Sequence, residues 1–158
     1  MKIILMADNR IGLALARWLL SDYRADVGLV VTTAKNDIAE VASAAGCPSA
    51  IFASEASLVS FVVQERLEFD LGVLAWWPRL IRDPLLQLPK AGFVNMHPSL
   101  LPYGRGKHPN FWAIVEESPF GVSLHMVDET IDGGDIIAQM RLPFSWEDTG
   151  GSLYGRAI

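Results

Sequence analysis

Asn95 and His97 are the residues whose types and spacing most directly suggest catalysis. They begin the stretch NMHPSLLPYGRG (95–106), which directly follows an apolar run and contains two prolines and two glycines. Side chains of an extended strand alternate between its two faces, so residues separated by one position point to the same side. An amide donor and an imidazole are therefore expected to face one space at the end of this strand.

Asp132 is the candidate carboxylate for this pair, because it begins a DGG turn later in the chain. A carboxylate beside His97 would orient the imidazole and stabilise its protonated form. Such a set suits attack on an acyl carbon, where a carbonyl oxygen becomes an oxyanion and a proton must move. Taken singly, each residue also has a structural explanation: Asn95 as a strand-end hydrogen-bond partner, His97 as a core histidine, and Asp132 as a turn residue.

The elements that would position these residues alternate between apolar runs and segments of helical periodicity. Runs at 2–7, 27–32 and 70–76 have no polar alternation, which is typical of strands in a parallel sheet covered on both faces. The fold class predicted for residues 1–158 is therefore α/β, a single Rossmann-like domain with a doubly wound, mostly parallel sheet and helices on both faces. Ligands of such sheets bind beyond the carboxyl ends of the strands, where GFVNMH (92–97) ends.

Further predictions concern the order of the strands in the sheet and the residues at which helices begin. We expect the strand order to reverse beside the first strand, with Asn95 at the carboxyl end of an interior strand. Asp37 and Glu40 predict a capping box, and Ser54 predicts the start of the next helix. A helix from Pro109 and two strands at 121–127 and 135–144 complete the pattern.

Composition narrows the class of partner. The formal net charge of −5 argues against nucleic-acid binding, which requires positive charge to neutralise phosphates. We therefore expect a small-molecule substrate and no nucleic-acid partner. The one cysteine, Cys47, has no internal disulfide partner, and the first residues lack the apolar core of a signal peptide. No apolar run approaches the roughly 20 residues needed to span a bilayer. We therefore expect a cytoplasmic protein without membrane attachment.

The stretch NMHPSLLPYGRG, followed by GVSLHMVDETIDGGDII (121–137), closely resembles the folate-dependent formyltransferases. This family includes glycinamide ribonucleotide transformylase, methionyl-tRNA formyltransferase and the nucleotide-sugar N-formyltransferases, and the resemblance covers nearly the whole chain. It implies that Asn95, His97 and Asp132 are the catalytic triad and that 10-formyltetrahydrofolate donates a formyl group to a primary amine. Asn95 would donate to the formyl oxygen, protonated His97 would help hold the same oxyanion, and Asp132 would orient His97 and assist the passage of the proton.

No metal is expected, because His108 and His125 do not form a ligand set with His97. The resemblance places the folate between the loops 75–81 and 127–135. The implied folate contacts are Trp76, Trp77, Pro78, Leu80, Asp128, Glu129 and Gly133. For the tryptophans, pterin stacking and packing against the sheet are both open. Gly133 and Gly134 are expected to let the backbone approach the pterin and to adopt positive φ.

The turn after His97 faces the acceptor in relatives. The implied acceptor contacts are Ser99, Tyr103, Arg105 and Lys107, with a solvated loop as the alternative. The resemblance and the two prolines around SLL also predict a cis peptide bond between Leu101 and Pro102.

The identity of the acceptor is argued from departures from the family. The purine-pathway transformylases carry a Gly- and Ser-rich loop after the first strand for the acceptor's phosphate, whereas this chain has ADNRIG (7–12), with Asp8 within it. The basic domain that methionyl-tRNA formyltransferases add is absent from this short acidic chain. An amino sugar linked to a nucleotide is therefore favoured. Glycinamide ribonucleotide or methionyl-tRNA as acceptor, formyltetrahydrofolate hydrolysis with water as acceptor, and a non-catalytic folate- or nucleotide-binding module remain alternatives; loss of a triad residue would indicate the last.

The final residues, GGSLYGRAI, begin a helical pattern that stops at Ile158. The domain is therefore expected to lack its C-terminal helix or continuation, and a homodimer is left open.

Overall fold

The structure is a computed structural model that describes residues 1–157. Its strands are β1 (Ile3–Ala7), β2 (Val27–Thr32), β3 (Ser49–Ile51), β4 (Leu71–Ala75), β5 (Phe93–His97), β6 (Gly121–Met126) and β7 (Ile136–Arg141). Its helices are α1 (Asn9–Asp22), α2 (Asp37–Ala44), α3 (Glu55–Gln64), α4 (Pro109–Val115) and α5 (Gly150–Arg156). The continuation predicted after GGSLYGRAI lies outside the described residues.

The strands of the described chain form a seven-stranded sheet in the order β3-β2-β1-β4-β5-β6-β7. β1 pairs in parallel with β2 and with β4, so the order reverses beside the first strand as predicted. β2 and β3 are also parallel, whereas β6 and β7 are antiparallel. The predicted Rossmann-like, mostly parallel α/β fold is confirmed, and β5 has the predicted interior position between β4 and β6.

Two compact units divide the chain, one from Met1 to Val94 and one from Asn95 onward. In the first unit, apolar residues of β1, β2 and β4 pack with the apolar faces of α1 and α2 around Leu5, Leu20 and Val30. In the second unit, Ala113 of α4 and Leu153 of α5 share a smaller core with Phe120. The boundary falls inside β5, and the organisation of residues 1–158 as a single domain stays a prediction.

Helix starts follow capping chemistry, with one departure from the prediction. Ser54 caps α3 as predicted. α2 is capped by Asn36, whose side-chain oxygen accepts from the backbone N–H of Ile38 at 3.1 Å and of Ala39 at 3.2 Å. The predicted capping box of Asp37 and Glu40 is therefore wrong, because Asn36, an equally favourable cap, begins the helix one residue earlier.

None of the helices within residues 1–157 is long and apolar enough to cross a membrane.

Candidate active site

β5 ends at His97, which is 7% exposed. Asn95, two residues earlier on the same strand, is half-buried. The turn that follows contains the predicted cis peptide bond between Leu101 and Pro102. Nε2 of His97 lies 2.9 Å from the carbonyl oxygen of Gly104. A carbonyl oxygen can only accept, so Nε2 carries a proton whether the ring is neutral or charged. A second proton on His97 must therefore sit on Nδ1.

Asp132 lies in the loop between β6 and β7 and faces this second nitrogen. Its Oδ2 is 3.6 Å from Nδ1 of His97 and accepts a hydrogen bond from the backbone N–H of Gly106 at 2.9 Å. The distance to His97 suits an ion pair with the protonated ring and is longer than an ordinary hydrogen bond. The structure thus brings Asp132 to the residues of β5, although their catalytic roles stay predictions.

His125 of β6 is a fourth polar residue at this place, and it is 2% exposed. Its Nδ1–H donates to the carbonyl oxygen of Met126 at 2.7 Å, so Nε2 of the neutral ring is an acceptor. That Nε2 lies 3.2 Å from Nδ2 of Asn95 and 3.6 Å from Oδ1 of Asp132. His125 therefore holds the amide of Asn95 and shares one carboxylate with His97.

The donors that remain for a substrate oxygen follow from these contacts. The amide group of Asn95 has two N–H bonds, and the neutral ring of His125 accepts one of them. The second is oriented by the same contact and can donate to an oxyanion. His97 is more constrained, because Nε2 is bound to Gly104 and a proton on Nδ1 faces Asp132. A substrate oxygen would reach a His97 proton only by sharing the one on Nδ1.

The electrostatics of the cluster favour a charged carboxylate. Burial alone would raise the pKa of Asp132, but the contact with His125, the charge of His97 and the N–H of Gly106 together outweigh it and lower the pKa. The pKa of His125 is raised, chiefly by its contact with Asp132, although burial opposes this. Asp132 is therefore placed to stabilise an imidazolium on either side of it.

A titration checks this arrangement. We expect His125 to titrate above the ordinary histidine pKa of about 6.5, and Asp132→Asn to lower that pKa. Since the pKa is raised in the folded state, the contact stabilises the fold below about pH 6.5 and this contribution is lost as pH rises through the folded value. The measurement is an NMR titration of the histidine ring nitrogens.

The control for this titration is Asp148→Asn, since Asp148 pairs with Arg156 rather than with a histidine. It should leave the His125 titration unchanged. A His125 pKa at or below the ordinary value, or one that does not respond to Asp132→Asn, would contradict the electrostatic account.

Sequence reasoning considered His125 only as a metal ligand and missed this position. A usable signal was present in β6, where the buried residues Gly121, Ser123 and His125 alternate with less buried ones. That alternation assigns His125 to the inward face of its strand. What the sequence did not supply was the adjacency of β5 and β6, which brings His125 to Asn95.

The glycines of the DGG turn serve a different purpose from the one predicted. The residue with positive φ is Asp132, at 46°, and neither Gly133 nor Gly134 is among the positive-φ residues of the described chain. A Cβ at Gly134 would collide with the carbonyl oxygen of Met126, and one at Gly133 with Thr130 Oγ1. The expectation of positive φ at these glycines is therefore wrong; they are needed because the loop folds closely on itself.

The other loop residues predicted to bind folate are placed as follows. Asp128 and Glu129 are exposed, and Oδ1 of Asp128 accepts from Thr130 N at 2.8 Å and from Thr130 Oγ1 at 2.6 Å. These bonds lower the pKa of Asp128. Contact of Asp128, Glu129 and Gly133 with a pterin stays a prediction.

In the first unit, Trp76 directly follows β4 and has a φ of 56°, and Trp77 packs edge-on against Phe52 with ring centroids 5.3 Å apart. The indole N–H of Trp77 is buried without a hydrogen-bond partner in the described chain. Pro78 and Leu80 are exposed. This geometry gives Trp77 a packing role, while folate contact by the loop stays a prediction.

The acceptor turn separates into a buried and an exposed part. Ser99 is 2% exposed, and its carbonyl oxygen accepts from Ser123 Oγ at 2.7 Å. Ser99 therefore lies inside the turn, whereas Tyr103, Arg105 and Lys107 are exposed. The three exposed side chains are free to meet a ligand, and acceptor contact by all four residues stays a prediction.

Comparison with known sequences places the chain in a family. The formyl transferase family model matches residues 15–158. A methionyl-tRNA formyltransferase of Listeria innocua is 36% identical over 91 residues, which cover 57% of this chain and 29% of that protein. The match thus spans less than a third of the length of that curated relative.

Solved structures agree over nearly the whole chain. A phosphoribosylglycinamide formyltransferase from Bacillus halodurans is 28% identical with a TM-score of 0.82, over 99% of this chain and 87% of that one. A sugar N-formyltransferase from a Shewanella species is 27% identical with a TM-score of 0.74, over 99% of this chain and 63% of that one. With a family model that matches most of its length and with this fold, the chain belongs to the formyl transferase family.

Proposed function

We propose that the chain transfers a formyl group from 10-formyltetrahydrofolate to a primary amine. The observation that carries this proposal is the convergence of Asn95, His97, His125 and Asp132, which gives an oriented amide donor beside a carboxylate and two imidazoles. Membership of the formyl transferase family supports formyl-folate as the donor.

The reaction requires one bond to form and one to break at the formyl carbon. The amine nitrogen attacks that carbon, and the carbonyl electrons move to the oxygen, where the free N–H of Asn95 stabilises the oxyanion. The amine then loses a proton, and the folate nitrogen gains one as its bond to the formyl carbon breaks. His97 and Asp132 carry this proton, directly or through water, so that the products are a formamide and tetrahydrofolate.

We assign the acceptor to the class of amino sugars linked to a nucleotide. Asp8 caps α1, and its Oδ1 accepts from the backbone N–H of Asn9 at 2.7 Å while Oδ2 accepts from Thr33 Oγ1. A fixed carboxylate at this helix start occupies the donors that an acceptor phosphate would use and repels a second anion. This disfavours glycinamide ribonucleotide, and the net charge of −5 disfavours tRNA.

The acceptor is tested by measuring formyl transfer to nucleotide-linked amino sugars, glycinamide ribonucleotide and methionyl-tRNA, with a reaction lacking acceptor. We expect a nucleotide-linked amino sugar to give the highest kcat/KM. A higher kcat/KM for either other amine would overturn the acceptor assignment, and release of formate at the same rate without acceptor would indicate a hydrolase. Folate binding without any transfer would indicate a non-catalytic binding module.

Asn95→Ala tests the oxyanion role. Removal of one donor of this kind costs on the order of 100- to 1,000-fold in kcat, and we expect that loss here. Folate affinity should change much less, because the contact strengthens only in the transition state. Steady-state rates and folate titrations measure the two effects separately.

Asn110→Ala is the matched control, since Asn110 donates its amide to the Gly150 carbonyl at 2.6 Å and forms no hydrogen bond with the cluster within residues 1–157. It should keep near-normal kcat if the protein folds. An Asn95→Ala variant within a few-fold of wild-type kcat would remove Asn95 from the mechanism.

A further inference from the structure

His125 presents one nitrogen, Nε2, to two polar neighbours of opposite character. Its Nδ1–H donates to the carbonyl oxygen of Met126 at 2.7 Å, so the proton on Nδ1 is present in both the neutral and the charged ring. The proton that the ring gains or loses is therefore the one on Nε2. That atom lies 3.2 Å from Nδ2 of Asn95 and 3.6 Å from Oδ1 of Asp132. An N–H donor and a carboxylate thus meet the same titrating atom.

The two charge states of this ring serve different neighbours. The neutral ring has a lone pair on Nε2, which accepts an N–H of Asn95 and offers no donor to Asp132. The charged ring has a proton on Nε2, which pairs with Asp132 and leaves no acceptor for Asn95. The amide of Asn95 must then turn its oxygen toward the ring or lose this partner. The orientation of that amide therefore depends on whether His125 carries its second proton.

The charges around His125 favour its protonated form. Asp132 and Asp128, both in the loop after β6, attract the charged ring, and the ring of His97 on β5 faces it with centroids 6.4 Å apart. The contact with Asp132 is the main reason that the pKa of His125 lies above the ordinary value of about 6.5, although burial opposes the charge. The charged ring thus persists to a higher pH than it would in an ordinary histidine.

We propose that His125 is a positioning residue for the reaction and that it holds the amide of Asn95 in place only while its own ring is neutral. Neutral His125 directs the free N–H of Asn95 to the oxyanion, and protonation of the ring withdraws this donor as pH falls. His125 acts through Asn95 and need not touch the substrate. The inference rests on the proposed function, because the donor matters only where an oxyanion forms.

His125→Gln and His125→Leu are a matched pair of substitutions that tests this role. Both remove the charge that the ring can place beside Asp132, and glutamine alone keeps a hydrogen-bond acceptor for Asn95. The leucine variant is expected to have a kcat on the order of 10- to 100-fold below that of the glutamine variant, because its oxyanion donor is misplaced. In an Asn95→Ala background the two should have equal kcat, since the group through which the acceptor works is gone.

The side-chain amide of Asn95 reports its own orientation without any turnover. Its ¹⁵N and ¹H signals in wild-type protein should change with pH at the midpoint at which the His125 ring titrates, and this change should be absent in His125→Gln. The ratio of wild-type to His125→Gln kcat should fall as pH is lowered through that midpoint, because proton steps common to both proteins cancel in the ratio. His108→Asn, which replaces an exposed histidine, is the control and should leave both responses as they are in wild type.

The possible failures separate this inference from the proposed function. Asn95 signals that ignore the His125 titration, or glutamine and leucine variants with equal kcat while wild type transfers formyl groups, would overturn the inference alone. A difference between those variants that persists in the Asn95→Ala background would do the same, because His125 would then act by another route. Thermal unfolding checks that each variant folds. Absence of transfer by wild type at every pH would overturn the proposed function and, with it, the role of His125 in the reaction, even if the Asn95 signals follow the ring.

Discussion

His97→Ala is expected to abolish most formyl transfer, with a loss in kcat of roughly 10²- to 10⁴-fold. The substitution removes the imidazole that can carry a proton on Nδ1 beside Asp132, and it leaves the carbonyl of Gly104 without its donor. Steady-state kinetics with 10-formyltetrahydrofolate and an amine measure the loss. Added imidazole should restore part of the rate if the proton carrier is what is missing.

The control for His97 is His108→Asn. His108 is exposed, precedes α4 without a side-chain cap bond, and has a φ of 59°, which asparagine tolerates. Its replacement should leave kcat nearly unchanged. Near-normal transfer by His97→Ala would require the mechanism to be abandoned.

Asp132→Asn is expected to reduce kcat nearly as severely, on the order of 10²- to 10⁴-fold. Asparagine keeps an oxygen for the N–H of Gly106 and a similar shape, so the turn should persist. The negative charge that faces both His97 and His125 is lost, and with it the stabilisation of an imidazolium. Because the loss concerns the transition state, kcat should fall far more than folate affinity.

Folate affinity and thermal unfolding of Asp132→Asn separate this role from a structural one. An equal loss in affinity and kcat, or a collapse of the fold, would assign Asp132 to the structure of the loop. Near-normal kcat would remove the carboxylate from proton transfer.

The strands were predictable because strands buried on both faces consist mainly of consecutive apolar residues. Largely apolar runs at 27–32 and 70–76 contain β2 and β4, where a parallel sheet covered on both faces excludes polar alternation. Strand periodicity alone predicted that Asn95 and His97 lie on the same side of their strand. The position of Asp132 beside His97 was expected from its residue type and from the family pattern.

Some features were not predicted because they depend on contacts between residues or segments that the sequence pattern does not show. His125 joins the cluster because β6 lies beside β5, and one-dimensional periodicity does not give strand adjacency. Positive φ was expected at the glycines of the DGG turn because glycine adopts it most readily, whereas Asp132 adopts it and the glycines lie against Met126 and Thr130. The cap at Asn36 was missed because three consecutive polar residues, Lys35 to Asp37, leave the start of a helix ambiguous.

The most direct test of the central claim is to follow the formyl carbon itself. 10-Formyltetrahydrofolate labelled with ¹³C at the formyl group is mixed with the protein and a nucleotide-linked amino sugar, and the carbon is observed by NMR. We expect the label to move to a formamide on the sugar with wild-type protein and to stay on the folate with His97→Ala. A label that stays on the folate with wild-type protein, or that leaves only as formate, would contradict formyl transfer by this cluster.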